Sequence, residues 1–406
     1  MTELDKAETK NHMEPKLPRR DWILLPLLSL VTIALLFGST ELIARRMFYG
    51  LNTGVANCMI WNDVSTGPRG IPNSVCWDKA WEGKPIEYRF NSCGHRAGME
   101  CGPKPPGTYR IVVGGSSYAL GYGVPIEKTF ATLLPVKLSQ ITGRRIELYN
   151  EGRAGGGTTV SLSFEAARAA SPDLILWILT PFDIRDAAQA GKHVEAPINK
   201  EFMGATRDRV RQALATKSIP DAALDILDTL HEVLVTSRTV YMLRHYLFES
   251  QRLYLDACLL SGEEAGFLKE TLNAEWQNRL RHFDGQAARI EKQATGAGIP
   301  LVAVLVPYRA QASVISMGEW PAGFNPYKLD DELRAIITSH GGTYVDILPG
   351  FRDVPNAEQY YLPLDGHPTA EGHAVIAGLL AKALTSGAVP ELRAPTVLQT
   401  DAQPGR

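Results

Sequence analysis

From Trp22 to Thr40 the chain reads WILLPLLSLVTIALLFGST, 19 residues without a charge. At about 1.5 Å per residue, a helix of that length nearly crosses the roughly 30 Å hydrocarbon layer of a bilayer. The run predicts one membrane-spanning helix over residues 22–43 and leaves the chain after about residue 44 to fold in water. A cleavable signal peptide has a shorter apolar region followed by small residues. Here Glu41, Leu42, Ile43, Ala44 and Arg45 follow, so the helix is expected to remain as an anchor. Lys6, Lys10, Lys16, Arg19 and Arg20 precede it, and only Arg45 and Arg46 stand close behind it. Because positive charge stays on the cytoplasmic side, the expectation is a single-pass inner-membrane protein with a cytoplasmic tail (residues 1–21) and a periplasmic body.

The cysteines agree with that side of the membrane. Cys58, Cys76, Cys93 and Cys101 share one short region and Cys258 stands far from them. In an oxidising compartment this predicts two local disulfides and a buried thiol. The spacings match no zinc signature, so no metal is expected. Residues 47–107, rich in Gly, Pro, Asn and Cys, lack a helical period and predict an irregular stapled segment. With 45% hydrophobic and 21% charged residues the composition is globular, and a formal charge of -2 carries no basic footprint for nucleic acid.

After Tyr109 strands and helices alternate. Arg110–Val113 predicts a strand running into Gly114-Gly115, and Glu127–Thr142 a helix with Phe130, Leu133, Leu134, Val136 and Leu138 as its apolar residues. Further strands are expected at Arg145–Tyr149, Leu174–Leu179, Pro300–Val306 and Thr343–Ile347, with a helix at Ser161–Ala170. Alternation of this kind implies a parallel sheet covered on both faces, here over residues 108–385. Residues 187–293 break the alternation and predict a helical insertion: Ala222, Ala223, Ile226, Leu227, Leu230, Val233 and Leu234 share a helical face, and Val240–Leu260 continues the pattern. Such an insertion could cap a site, bind a partner or only pack. Residues 386–406 read as a polar tail.

Open parallel sheets bind ligands at the carboxyl ends of their strands, which directs attention to GGSSYALGYGV, residues 114–124. The loop is neither a phosphate-binding P-loop nor a dinucleotide fingerprint, and it lacks the G-x-S-x-G elbow. It does hold two adjacent serines. A serine becomes a nucleophile when a base takes its proton, and YLPLDGHPTAEGH, residues 361–373, supplies one: Asp365 stands where its carboxylate can orient His367. His373 reads as a helix-packing residue, Asp183 as a tie for a nearby loop, and Gly121 and Gly123 as turn residues.

Together these blocks resemble the SGNH (GDSL) hydrolases and acyltransferases, over about residues 85–385 without the insertion. RIVVGGSSYALGYGV resembles the family's first block, with Ser117 at the nucleophile and Ser116 at the usual Asp. LYNEGRAGGGTT resembles the second and aligns Gly155 with the oxyanion-hole glycine, and DGHPTAEGH resembles the last, making His367 the base and Asp365 its partner. Two departures stand out. The third block normally reads Gly-x-Asn-Asp, but here it is Thr180-Pro181-Phe182-Asp183, so Phe182 replaces an oxyanion donor that Asn150 is a candidate to supply. Asp365 also stands two residues before His367, where many members have three. The resemblance implies a flavodoxin-like three-layer α/β sandwich and a serine esterase acting on acyl esters, acetyl foremost. Its triad would be Ser117, His367 and Asp365, its oxyanion hole Ser117, Gly155 and Asn150, and no cofactor is implied. Its substrate would be an acylated glycan or a small ester. The alternatives are O-acyl transfer to an envelope polysaccharide, fed by a membrane acyltransferase, and a catalytically silent glycan-binding or scaffold protein.

Overall fold

The β-branched run that begins at Thr108 becomes the first strand of a five-stranded parallel sheet in a computed structural model, which describes residues 18, 20–50, 54–61, 69–154, 162–186, 236–260 and 265–393. Before the sheet come helix α1 (Asp21–Met47) and the short strands β1 (Met59–Ile60), β2 (Arg69–Gly70), β3 (Val75–Asp78) and β4 (Ile86–Arg89). The alternating body follows as β5 (Thr108–Gly114), α2 (Ser117–Leu120), α3 (Phe130–Thr142), β6 (Arg145–Asn150), α4 (Phe164–Ala169), β7 (Leu174–Leu179) and α5 (Pro181–Asp186). After α6 (Arg238–Phe248) and α7 (Gln251–Leu260) it resumes with α8 (Ala274–Ala297), β8 (Leu301–Leu305), α9 (Arg309–Met317), α10 (Lys328–Ser339), β9 (Thr343–Tyr344) and α11 (Ala370–Ala383).

The sheet order is β6-β5-β7-β8-β9, with every pairing parallel. In chain order that is 2-1-3-4-5, the flavodoxin-like doubly wound arrangement. All residues of β5, β7 and β8 are buried, as they must be when helices cover both faces. One group of helices joins α3 to α11, and the other gathers α4, α5 and α10 around α8. Helix α3 buries Phe130, Ala131, Leu134 and Leu138 and leaves Val136 outside, a stripe one face wide. Helix α8 buries Trp276, Leu280, Phe283, Ala287, Ile290 and Ala294 in the same way, and the Asn273 side chain caps it by accepting from Trp276 N at 2.9 Å. This helix leads into β8 as a crossover. The part of the expected insertion that the structure describes outside that crossover is therefore α6, α7 and residues 265–273, while residues 187–235, including the face from Ala222 to Leu234, lie outside the described residues.

The segment expected to be irregular pairs β1 with β2 and β3 with β4, both antiparallel. Cys58–Cys76 and Cys93–Cys101 are disulfides, and Cys258 is a buried thiol on α7. The segment has a small core of its own, in which Val55, Met59, Ile86, Tyr88 and Phe90 pack with Leu120 of α2 and with Ala154. Helix α1 runs past the apolar stretch to Met47. Its last turns meet α6, whose N-terminus is capped by Glu41: the carboxylate accepts from Ser237 Oγ at 2.8 Å, Arg238 N at 3.0 Å and Thr239 N at 2.9 Å. At the far end, the expected polar tail begins later than residue 386, because Leu392 is wholly buried. Residues 394–406 lie outside the described residues.

Candidate active site

In the 2-1-3-4-5 order, the chain leaves β5 and β7 toward opposite edges of the sheet. The crevice beyond their carboxyl ends is the topological switch point. Ser116-Ser117 follows β5 after Gly115, and Thr180–Asp183 follows β7. Ser116 is extended and Ser117 opens the single turn α2, which closes when Gly121 N and Tyr122 N donate to Ser117 O at 3.0 and 2.9 Å. Gly121 sits at φ +79°, a left-handed conformation that glycine adopts without strain. A Cβ on Gly152 would meet the Ala119–Leu120 backbone, so the loop after β6 can lie against α2 only with glycine there.

The structure brings the three expected catalytic side chains together. Ser117 Oγ stands 2.6 Å from His367 Nε2, although the two residues are 250 positions apart. His367 Nδ1 hydrogen-bonds Asp365 Oδ1, and the same oxygen accepts from His367 N at 3.3 Å. With Nδ1 facing a carboxylate the ring proton belongs on Nδ1, which leaves Nε2 as the acceptor for the serine hydroxyl. Burial pushes the Asp365 carboxyl up, but the His367 imidazole and its hydrogen bonds outweigh this, and the group ends below the usual aspartate value. Two tyrosine rings flank the imidazole, Tyr118 and Tyr122, each with its centroid 5.0 Å away. Tyr118 also donates to Gly366 O at 2.7 Å, fixing the turn between Asp365 and His367.

The surrounding contacts divide the other sequence candidates. Asp183 accepts from Thr180 N at 2.8 Å, Thr180 Oγ1 at 2.7 Å and Ser116 Oγ at 3.3 Å, tying the loop after β7 to the Ser116-Ser117 turn. His373 is fully buried and accepts from Phe130 N through Nδ1 at 3.2 Å. Burial, Arg96 and His367 hold its imidazole down at about 3, so it is neutral and packed. Asn150 is buried, its Nδ2 donates to Ala119 O at 2.8 Å and its Oδ1 accepts from Gly152 N at 2.8 Å. These bonds brace α2 against the loop after β6. Phe182 packs edge-on against Tyr308, with centroids 4.7 Å apart, and brings no donor. Gly155 lies outside the described residues.

Arg96 had no sequence signal. It is buried, stacks on Tyr88 at 4.2 Å, and donates to Leu120 O at 2.8 Å, Gly121 O at 2.7 Å and Val124 O at 2.7 Å. One guanidinium from the disulfide-bound segment thus gathers the carbonyls that follow α2. Among the described residues no group of three or more His, Cys, Asp or Glu side chains could hold a metal ion.

No protein-family model matches the sequence, nor does any curated protein. Three solved structures align with the chain at low similarity. A lipase/acylhydrolase from Enterococcus faecalis is covered over 95% of its length and covers 68% of this chain, at 11% identity and a TM-score of 0.32. A candidate SGNH hydrolase from Slackia heliotrinireducens gives 99% and 68%, at 12% identity and 0.30. A candidate arylesterase from Agrobacterium tumefaciens gives 96% and 67%, at 14% identity and 0.28.

Proposed function

We propose that the protein is a serine hydrolase of the SGNH type that cleaves ester-linked acyl groups outside the cytoplasmic membrane. The observation that carries this reading is the 2.6 Å contact between Ser117 Oγ and His367 Nε2, with Asp365 bonded to the opposite ring nitrogen. In the first half-reaction His367 Nε2 takes the hydroxyl proton as Ser117 Oγ bonds to the ester carbonyl carbon. The carbonyl oxygen becomes an oxyanion, for which the Ser117 N–H is one donor and Gly155, by resemblance, the second. The imidazolium then passes its proton to the departing alkoxide, so an alcohol leaves and the acyl group stays on Ser117. In the second half-reaction His367 deprotonates a water, which attacks the acyl carbon, and the acid is released as Ser117 regains its proton.

The position of Phe182 favours modest catalysis. Loss of one oxyanion donor costs a serine protease about 100 to 1000-fold, and the Phe182 ring that stands at the donor's position packs on Tyr308 instead. The proposed substrate is an O-acylated envelope glycan, or a small ester of the same acid. Transfer to a sugar hydroxyl would use the same steps with water replaced. The exposed apolar side chains of α1, the lysines and arginines ahead of it, and the two disulfides support a periplasmic site on a single-pass anchor.

Acid quenching during turnover of p-nitrophenyl acetate tests the reading. An acetyl group on the Ser117 peptide, absent in Ser117→Ala, is the expected result; turnover that survives Ser117→Ala would remove the proposed nucleophile.

A further inference from the structure

The turn that carries Asp365 is held by a residue from a distant part of the chain. Glu82 lies between β3 and β4 of the disulfide-bound segment, and its side chain is 0% exposed. Its carboxylate accepts from Leu364 N at 2.9 and 3.1 Å and from Asp365 N at 2.8 Å. Its Oε1 also stands 2.7 Å from His245 Nδ1 of α6. A carboxylate is kept fully buried only where hydrogen bonds fill its lone pairs, and here two of the donors are the backbone amides of Asp365 and its neighbour.

The opposite side of the same turn is clamped as well. Arg309 donates to Pro363 O, and also to Phe248 O at the end of α6. The Pro363–Leu364 peptide therefore lies between a guanidinium on its carbonyl and a carboxylate on its N–H. Tyr118 holds Gly366 O at 2.7 Å, and Leu362 N donates to His367 O at 2.9 Å. A residue serving only to fill space at position 82 would be apolar, and would leave both amides without acceptors.

We propose that Glu82 is a positioning residue for the Ser117 reaction. It fixes the Leu364–Asp365 backbone and so directs the Asp365 carboxylate at His367 Nδ1, while His245 holds Glu82 in place. This rests on the serine-hydrolase reading; Glu82 touches no reacting atom and acts through Asp365.

The test compares full-length wild type, Glu82→Gln, Glu82→Ala and His245→Leu in detergent, with two readouts. One is the rate of fluorophosphonate labelling at Ser117 as probe concentration is raised. The other is amide hydrogen exchange across residues 362–367. Glu82→Ala is expected to lower the maximal labelling rate about 100-fold, the cost of misplacing a catalytic group by about 1 Å, with the half-saturating probe concentration unchanged and faster exchange in this turn. Glu82→Gln keeps an oxygen for the two amides and offers an NH2 to His245, so it is expected to restore most of the rate. A folded Glu82→Ala protein that labels at the wild-type rate, or one that slows without faster exchange in the turn, overturns the proposal. Should Glu82→Ala not fold, His245→Leu decides: slower labelling with a loosened turn supports the proposal, and wild-type behaviour overturns it. Wild type that does not label at Ser117 overturns the hydrolase reading itself, a result distinct from all of these.

Discussion

Asp365 keeps its charge because the His367 imidazole and the hydrogen bonds between them outweigh the effect of burial. Asp365→Asn would keep the shape but favour the wrong ring tautomer, and it is expected to slow Ser117 acylation by up to about 10⁴-fold, measured as the labelling rate of a folded variant. Arg96→Met removes the donor from three carbonyls around α2, and an unsatisfied buried acceptor costs about 1 to 3 kcal/mol. The variant should unfold at a lower denaturant concentration and should label more slowly than its stability alone explains. Ser117, His367 and Asp365 were legible in the sequence because a hydroxyl, an imidazole and a carboxylate are reactive types set in short motifs. Arg96 and Glu82 were not, because their partners are backbone atoms, and a peptide carbonyl or amide leaves no mark in a sequence. The bracing by Asn150 was hidden for the same reason: its partners are Ala119 O and Gly152 N, neither of which the sequence reveals.

At the scale of elements, β5 and β7 were legible as short apolar runs, and burial on both faces is what such runs require. The hairpins β1–β2 and β3–β4 were not: they have two to four residues per strand, and their pairing is fixed by contacts and disulfides rather than by any period. Strand β9 covers only Thr343–Tyr344, less than the apolar run that pointed to it, because pairing stops after two residues. Helix α8 carries an acid on its buried stripe. Glu291 is almost wholly buried, and burial lifts its carboxyl from 4.5 to about 7, with His340 pulling weakly the other way. The folded protein therefore holds a proton that the unfolded chain gives up at lower pH, so this residue costs nothing below about pH 4.5 and increasingly more as the pH rises through about 7. Glu291→Gln should add about 1 to 3 kcal/mol of stability at pH 8 and little at pH 4, measured by denaturant unfolding at both. An equal gain at both values would contradict this origin.

Across the whole molecule, helix α1 and the turn that carries Asp365 are joined by a chain of contacts. Glu41 of α1 caps α6, and α6 reaches the Asp365 turn through His245 and Glu82, and through Phe248 and Arg309. This link was not legible in the sequence, since it joins residues far apart through a region read only as helical. The disulfides belong to the same scale, because Arg96 lies inside the Cys93–Cys101 loop and Glu82 on the stretch between the two bridges. Replacing Cys93 and Cys101 by alanine should cost about 2 to 4 kcal/mol of stability, read by denaturant unfolding against wild type. The central claim is that Ser117 is a nucleophile activated by His367. Fluorophosphonate labelling of the full-length protein, with peptide mapping and Ser117→Ala and His367→Ala controls, tests it most directly. The expected result is one modified peptide containing Ser117, lost in Ser117→Ala and strongly reduced in His367→Ala; a folded protein that stays unmodified, or is labelled elsewhere, would contradict it.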